Sequence, residues 1–369
     1  MSSVTLEQTS KKFGDFTAVR EMDLAIRNGE FVAILGPSGC GKTTTMNMIA
    51  GLEDVTSGTI RFDDRDVTEV STQKRGVGFV FQSYAIFTHM TVRQNLAFGL
   101  EVQGVEQAEI DRRVGDMAEF MALGHRIDVP SAGLSVNEMQ KLAIGRSAIV
   151  EPSIFLLDEP LSNLDAAFRE KMRAELRGLQ RALKQTMVYV THDQIEAMGL
   201  ADRIAVMNHA VLQQFDTPVN IYARPANVFV ARFMGAPGMN IVNSRVTEGG
   251  VLFGGRDADF VALSREDMAT LRHHGERDLL LGFRPEELRL GEVGAPGSIA
   301  ADVALVETVG RRKIVHLVSG TTAFHGVCDR GVPVRAGEAV GVTISPDKVH
   351  LFDTETEARL QWPVEATHG

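Results

Sequence analysis

"FVAILGPSGCGKTTTMNMIAGL", residues 31–52, falls into three consecutive pieces. "FVAILG" (31–36) is unbroken apolar sequence, as in a strand buried on both faces. "GPSGCGKTT" (36–44) matches G-x-x-x-x-G-K-[ST], and "TTTMNMIAGL" (43–52) reads as the helix it opens. Strand, glycine-rich loop and helix in that order build a phosphate cradle, because the loop backbone wraps closely and offers its N–H groups. The expected nucleotide contacts are therefore Gly36, Pro37, Ser38, Gly39, Cys40, Gly41, Lys42, Thr43 and Thr44. Lys42 is expected on the β and γ phosphates of ATP and the Thr43 hydroxyl on Mg²⁺.

Outward from this loop, up to about Gly235, short apolar runs alternate with amphipathic stretches. "IFLLD" (154–158), "MVYVTH" (187–192) and "RIAVM" (203–207) read as buried strands. "DAAFREKMRAELRGLQRAL" (165–183) and "DQIEAMGL" (193–200) read as helices. Such alternation implies a mostly parallel, covered sheet. Helical patterns fill the block from about 83 to 150, an insertion between strands. "GAPGMN" (235–240) reads as a boundary. After it come short alternating runs broken by Gly, Asp and Pro, such as "KIVHLVS" and "VHLFD", the texture of a small antiparallel barrel or sandwich. The expected organisation is an α/β core with a helical insertion over 1–235, an all-β domain over 236–354 and a loose tail over 355–369.

A net charge of −10 argues against a nucleic-acid binder, which carries a basic stripe. The two cysteines, Cys40 and Cys328, have no metal-ligand spacing and suit a reducing, cytosolic compartment. The first residues lack the apolar core of a signal peptide, and no run of 18 apolar residues spans a bilayer. A membrane role is therefore expected only through a partner.

Asp158 and Glu159 close an apolar strand, where an acidic pair is costly unless it meets a cation or polarises a water. Asp158 fits a Mg²⁺ ligand, usually through water, and Glu159 the base that activates an attacking water. His192 and Gln82 also end apolar strands, at the edge where parallel sheets place ligands. His192 is read as a γ-phosphate contact, and Gln82 as a contact to Mg²⁺ and water. Phe13, ahead of the loop strand, is an adenine platform or a strand-edge packing residue. "LSVNEMQKLAIGR" (134–146) carries Ser135 and, three residues on, Glu138, the pattern of a capping box at a helix start.

Taken together, the loop, Gln82, the helical block, Asp158–Glu159, "SNLD" and His192 follow one order that resembles the ATP-binding-cassette ATPases. "FVFQSYAIFTHMTVRQNLAFGL", "PVNIYARPANVFVARFMGAPGMN" and "GFRPEEL" look like the bacterial carbohydrate importers of the maltose and glycerol-3-phosphate type. The resemblance implies a P-loop core followed by an OB-like regulatory domain. It implies an ATPase on the cytoplasmic face of the inner membrane, where two ATPase subunits close on two ATP molecules and drive two permease subunits, with a solute-binding protein upstream. It makes Phe13 the adenine platform, Gln82 a sensor facing the permease and Asp165 of "SNLD" a cross-dimer residue.

By order, "LSVNE" holds the position of the family signature Leu-Ser-Gly-Gly-Gln, and Val136, Asn137 and Glu138 depart from it. Side chains at 136 and 137 obstruct close backbone approach, Glu138 puts negative charge near phosphate, and a capping box occupies Ser135. The departures favour pairing with a second ATPase bearing an intact signature over a homodimer of this chain. Thr88, where the family usually has Pro, is a smaller departure. The alternatives are a nucleotide-binding regulatory subunit, or the ATPase of a polyamine or inorganic-ion importer. A cassette of DNA repair or translation would show tandem cassettes or a long coiled-coil insertion, and neither is present.

Overall fold

The computed structural model describes residues 2–247, 250–253, 260–262 and 278–360. Backbone packing divides the chain into two units, Met1–Val219 and Asn220–Gly369.

The first unit opens with a hairpin of β1 (Val4–Phe13) and β2 (Phe16–Ile26), followed by the loop strand β3 (Phe31–Leu35) and helix α1 (Lys42–Ala50). α1 stops at Gly51, whose φ of +74° an L side chain rarely adopts. Arg75, almost fully buried, donates from one guanidinium nitrogen to the carbonyls of Met48 (2.7 Å) and Ile49 (2.9 Å) in the last turn. β4 (Ser57–Phe62) and β5 (Arg65–Asp66) complete an antiparallel sheet of order β2-β1-β4-β5. After α2 (Thr72–Arg75) and β6 (Val77–Val80) come the helices of the insertion, α3 (Val92–Val102), α4 (Gln107–Phe120) and α5 (Val136–Ala148). The chain returns to the sheet through β7 (Ile154–Asp158), α6 (Ala166–Leu183), β8 (Thr186–Thr191), α7 (Gln194–Leu200), β9 (Arg203–Asn208) and β10 (Val211–Asp216).

The second sheet of this unit has the order β10-β9-β3-β8-β7-β6, parallel except for the β9–β10 pair. All five residues of β3 and all six of β8 are buried, as strands covered on both faces require. One apolar cluster joins Leu6, Met22 and Leu24 of the antiparallel sheet, Ile49 of α1, and Ile34 and Leu156 of the parallel sheet. The antiparallel sheet was not expected from the sequence.

Helix α8 (Pro218–Ala223) crosses the division between units, and α9 (Val228–Phe233) lies in the second. Among its described residues the second unit has two short 3-10 helices, Pro285–Glu287 and Pro346–Lys348, and the strands β11 (Asn240–Thr247), β12 (Gly250–Phe253), β13 (Phe260–Ala262), β14 (Asp278–Phe283), β15 (Leu288–Gly291), β16 (Ile299–Val309), β17 (Arg312–Ser319), β18 (Thr322–Asp329), β19 (Ala339–Ile344) and β20 (Val349–Asp353). They form two five-stranded antiparallel sheets, ordered β13-β12-β11-β14-β20 and β15-β19-β16-β17-β18. Leu281, Phe283 and Leu351 of the first share a core with Val315, Phe324 and Val342 of the second. The Phe283 and Phe324 rings meet edge-on at 5.9 Å.

Residues expected to begin a loose tail are held in this unit. Glu357 O accepts from Val228 N at 3.0 Å, Arg359 N donates to Ala226 O at 2.9 Å and Leu360 N to Leu351 O at 2.8 Å. The rest of that expected tail, 361–369, lies outside the described residues. Among the described residues, no helix is long and apolar enough to cross a membrane.

Candidate nucleotide site

Strand register brings the chemistry together. Leu35 pairs with Thr191, Asp158 with Val190 and Leu157 with Val80, so four parallel strands end side by side. The glycine-rich loop, Gln82, Asp158–Glu159 and His192 all follow directly from those ends. The carboxyl edge of an open parallel sheet is where such folds bind ligands.

In the loop, a Cβ on Gly36 would lie 2.3 Å from the Met207 carbonyl oxygen, so only glycine fits. Gly41, which caps α1, has φ +104°, and a Cβ there would lie 2.3 Å from Ala18 O. The Lys42 ammonium, nearly buried, donates to the carbonyls of Gly36 (2.9 Å) and Pro37 (2.8 Å). It also lies 4.0 Å from Cys40 Sγ, and burial pushes that thiol up in pKa against the pull of the ammonium.

Thr43 Oγ1 donates to Asp158 Oδ1 at 3.2 Å. Burial raises the Asp158 pKa, the Thr43 hydrogen bond opposes it and the neighbouring Glu159 charge adds to it. The Asp158 carboxylate, made costly by burial, and the Thr43 hydroxyl are hard oxygen donors of the kind that suits Mg²⁺, while Gln82 meets Glu159 through its amide nitrogen. No cluster of three or more His, Cys, Asp or Glu among the described residues is arranged to hold a metal alone.

Glu159 collects the remaining polar groups. Its backbone N–H donates to Val190 O at 3.0 Å, extending the ladder one residue past β7. Its φ is then +43°, a left-handed conformation uncommon for a non-glycine residue and found often at functional sites. Ser162 Oγ donates to the Glu159 carbonyl at 2.9 Å. The Glu159 Oε2 atom lies 3.4 Å from Gln82 Nε2 and 3.3 Å from His192 Nδ1. Gln82, Glu159 and His192 thus meet at one oxygen beside the Thr43–Asp158 pair.

Six of the expected residues, Phe13, Ser135, Val136, Asn137, Glu138 and Asp165, make their contacts outside this constellation. Phe13 ends β1 with its ring 46% exposed, and the Lys11 ammonium lies 4.7 Å over it, fixed by Asp54 O at 2.7 Å and Glu53 at 3.0 Å. Asp165 caps α6 by accepting from Phe168 N at 3.0 Å. Ser135 caps α5 in a full capping box: Glu138 Oε2 accepts from both Ser135 N and Ser135 Oγ at 2.8 Å, while Glu138 N donates to Ser135 Oγ at 3.3 Å. The Ser135 amide holds the Glu138 carboxyl below the usual carboxylate range, and Arg126 lies 3.4 Å from it. Val136 is 47% exposed and Asn137 is half-buried.

Sequence reasoning missed Arg169, Asp193 and Glu196, which line a cleft with Glu159 and His192. Only the acidic and basic character of "AFREK" and "HDQIEA" hinted at them.

A family model described as ABC transporter matches residues 19–162, and one described as MalK OB fold domain matches residues 235–288. The trehalose/maltose import ATP-binding protein MalK of Thermococcus litoralis is 45% identical over 96% of this chain and 99% of its own. The sn-glycerol-3-phosphate import ATP-binding protein UgpC 1 of Rhizobium johnstonii is 42% identical, covering 99% and 98%. The diacetylchitobiose uptake system ATP-binding protein MsiK of Streptomyces coelicolor is 40% identical, covering 98% and 100%. Among solved structures, the ATP-binding cassette MJ0796, a dimer bound to ADP and Pi, superposes with a TM-score of 0.53 at 28% identity, over 58% of this chain and 98% of that one.

Proposed function

The chain belongs to the import ATP-binding subunits of the ABC transporters, whose ATP hydrolysis is coupled to transport, and from that premise we propose the following division of labour. The chain binds Mg²⁺–ATP on the glycine-rich loop, peripheral to the cytoplasmic face of a bacterial membrane. Two permease subunits and a solute-binding protein complete the transporter. The names of its relatives support a sugar, polyol or glycerol-3-phosphate-like solute.

The observation that carries the catalytic reading is the convergence of Gln82 and His192 on Glu159, next to Thr43 and Asp158. Lys42 neutralises the β and γ phosphates, and Thr43, Asp158 and Gln82 hold Mg²⁺, which supplies charge compensation on those phosphates. Glu159 takes a proton from water as its oxygen bonds to the γ-phosphorus, and the bond to the β–γ bridging oxygen breaks to release ADP. His192 contacts the γ-phosphate and orients the Glu159 carboxylate. Phe13 is the adenine platform. Glu159→Gln keeps the shape and removes the base, so turnover is expected to fall about 100-fold or more while ATP binding persists. Unchanged turnover in that variant contradicts the assignment.

We further propose that the site completed by Ser135, Val136, Asn137 and Glu138, with Asp165 of the same chain, is the weaker of two. What supports this is the capping box: Ser135 spends its hydroxyl on Glu138, and Glu138 is held ionised where an approaching phosphate would meet it. A second ATPase with an intact signature then completes the site built on Lys42 and Glu159.

A further inference from the structure

We propose that Arg169 is a positioning residue that ties the loop ending at Asp165 to the loop carrying His192. The inference rests on the assignment of His192 above. Arg169 lies in the first turn of α6, four residues past the Asp165 cap. Its guanidinium reaches both loops at once. One terminal nitrogen donates to the Leu164 carbonyl at 3.1 Å, and the other donates to Asp193 Oδ2 at 3.3 Å. Leu164 immediately precedes Asp165, and Asp193 immediately follows His192.

The segment on either side of His192 is locked into the same network. Asp193 N donates to Thr191 Oγ1 at 3.0 Å, and Thr191 Oγ1 donates to Glu196 Oε2 at 2.8 Å. Glu196 is buried, and Tyr189 OH donates to the same carboxylate oxygen at 2.7 Å. Its other oxygen faces Arg169 Nε at 3.8 Å, too long for a hydrogen bond, and that buried Nε–H has no partner. Among the described residues, Arg169 is thus the cation set between two carboxylates, Asp193 and Glu196, with its buried Nε–H unspent. A shift of about 1 Å would close the gap to a charge-assisted hydrogen bond. Displacement of the Leu164 carbonyl therefore reaches Asp193, the residue next to His192, through a single side chain.

Arg169 is not needed to build α7. Asp193 caps that helix with its other oxygen, Oδ1, which accepts from Ile195 N at 2.7 Å and Glu196 N at 3.2 Å. Removing Arg169 leaves the cap and unties the two loops.

The test uses the transporter complex isolated through a tag on this full-length chain, with Arg169→Met, Arg169→Lys, Asp193→Asn, the Arg169→Met/Asp193→Asn double variant and His192→Ala. kcat and KM for ATP are measured on the complex, and ATP affinity and Tm on the full-length chain. Misplacement of a reacting group by about 1 Å costs up to 100-fold, so kcat of Arg169→Met is expected to fall about tenfold or more. ATP affinity should stay within about twofold, because the glycine-rich loop and Phe13 set it. Arg169→Lys should stay closer to Arg169→Met than to wild type, since one ammonium lacks the planar fork that reaches both loops. Asp193→Asn should add less than about twofold on top of Arg169→Met. Unchanged kcat in Arg169→Met, or losses of kcat and affinity that track a fall in Tm, overturns the proposal. If His192→Ala is inactive while Arg169→Met is normal, only the Arg169 proposal fails. Normal turnover by His192→Ala overturns the His192 assignment and this proposal with it.

Discussion

At Glu159 the backbone turns to φ +43°, and one oxygen of its carboxylate, Oε2, lies against both Gln82 Nε2 and His192 Nδ1. Asp158, one residue earlier, still follows the strand and meets Thr43 instead. Adjacent acids thus acquire separate tasks from backbone direction alone. A residue of the second unit illustrates the converse, burial without chemistry. His350 is held at a pKa of about 4, first by burial and then by the nearby Arg359 and Arg284 charges. Its folded pKa lies below the ordinary value of 6.5, so between those limits the unfolded chain takes up a proton that the fold refuses. Stability is complete above about pH 6.5 and is lost as pH falls toward about 4, by at most about 3 kcal/mol. Urea midpoints of wild type and His350→Met between pH 7 and 4.5 check this, and the slope should flatten in the variant. Lys42, Asp158, Glu159, Gln82 and His192 were legible in the sequence because each ends or follows a strand whose apolar run identifies it. Arg169 was not, because Asp193 and Glu196, its partners, stand on a different helix and loop brought near only by the fold.

Among the elements, α3 and α5 start in the same way. Thr91 and Gln94 form a capping box at α3 as Ser135 and Glu138 do at α5. Both satisfy backbone N–H groups that the first turn leaves without helical partners. Ser135→Ala is expected to cost about 1 kcal/mol of stability, as Thr91→Ala should in the same unit. Denaturant titration of the two variants measures it, and a loss at Thr91 with none at Ser135 would show that α5 does not depend on its cap. The helices were readable from their regular period, and the buried parallel strands from their unbroken apolar runs. The antiparallel sheet was not. β1 pairs with β2 through register shifts between Leu6 and Thr9, Thr9 and Lys11, and Lys11 and Lys12. Those irregularities break the period of two by which a half-buried strand is recognised.

In the whole molecule, one chain carries both the strand-end constellation around Glu159 and the capped segment 135–138 at the start of α5. α5 starts at a capping box and has no glycine in its first turn, so its helix start is well satisfied. The most direct test is ATP turnover by the purified full-length chain, wild type beside the triple change Val136→Gly, Asn137→Gly, Glu138→Gln. Gln at 138 removes the carboxylate on which Ser135 spends its hydroxyl, while Ser135 still caps the first turn, so the change alters the signature without removing the helix start. The account predicts that the wild-type chain alone is nearly silent and that the triple change restores turnover. Equal turnover by both forms would contradict it and make a working homodimer the better description.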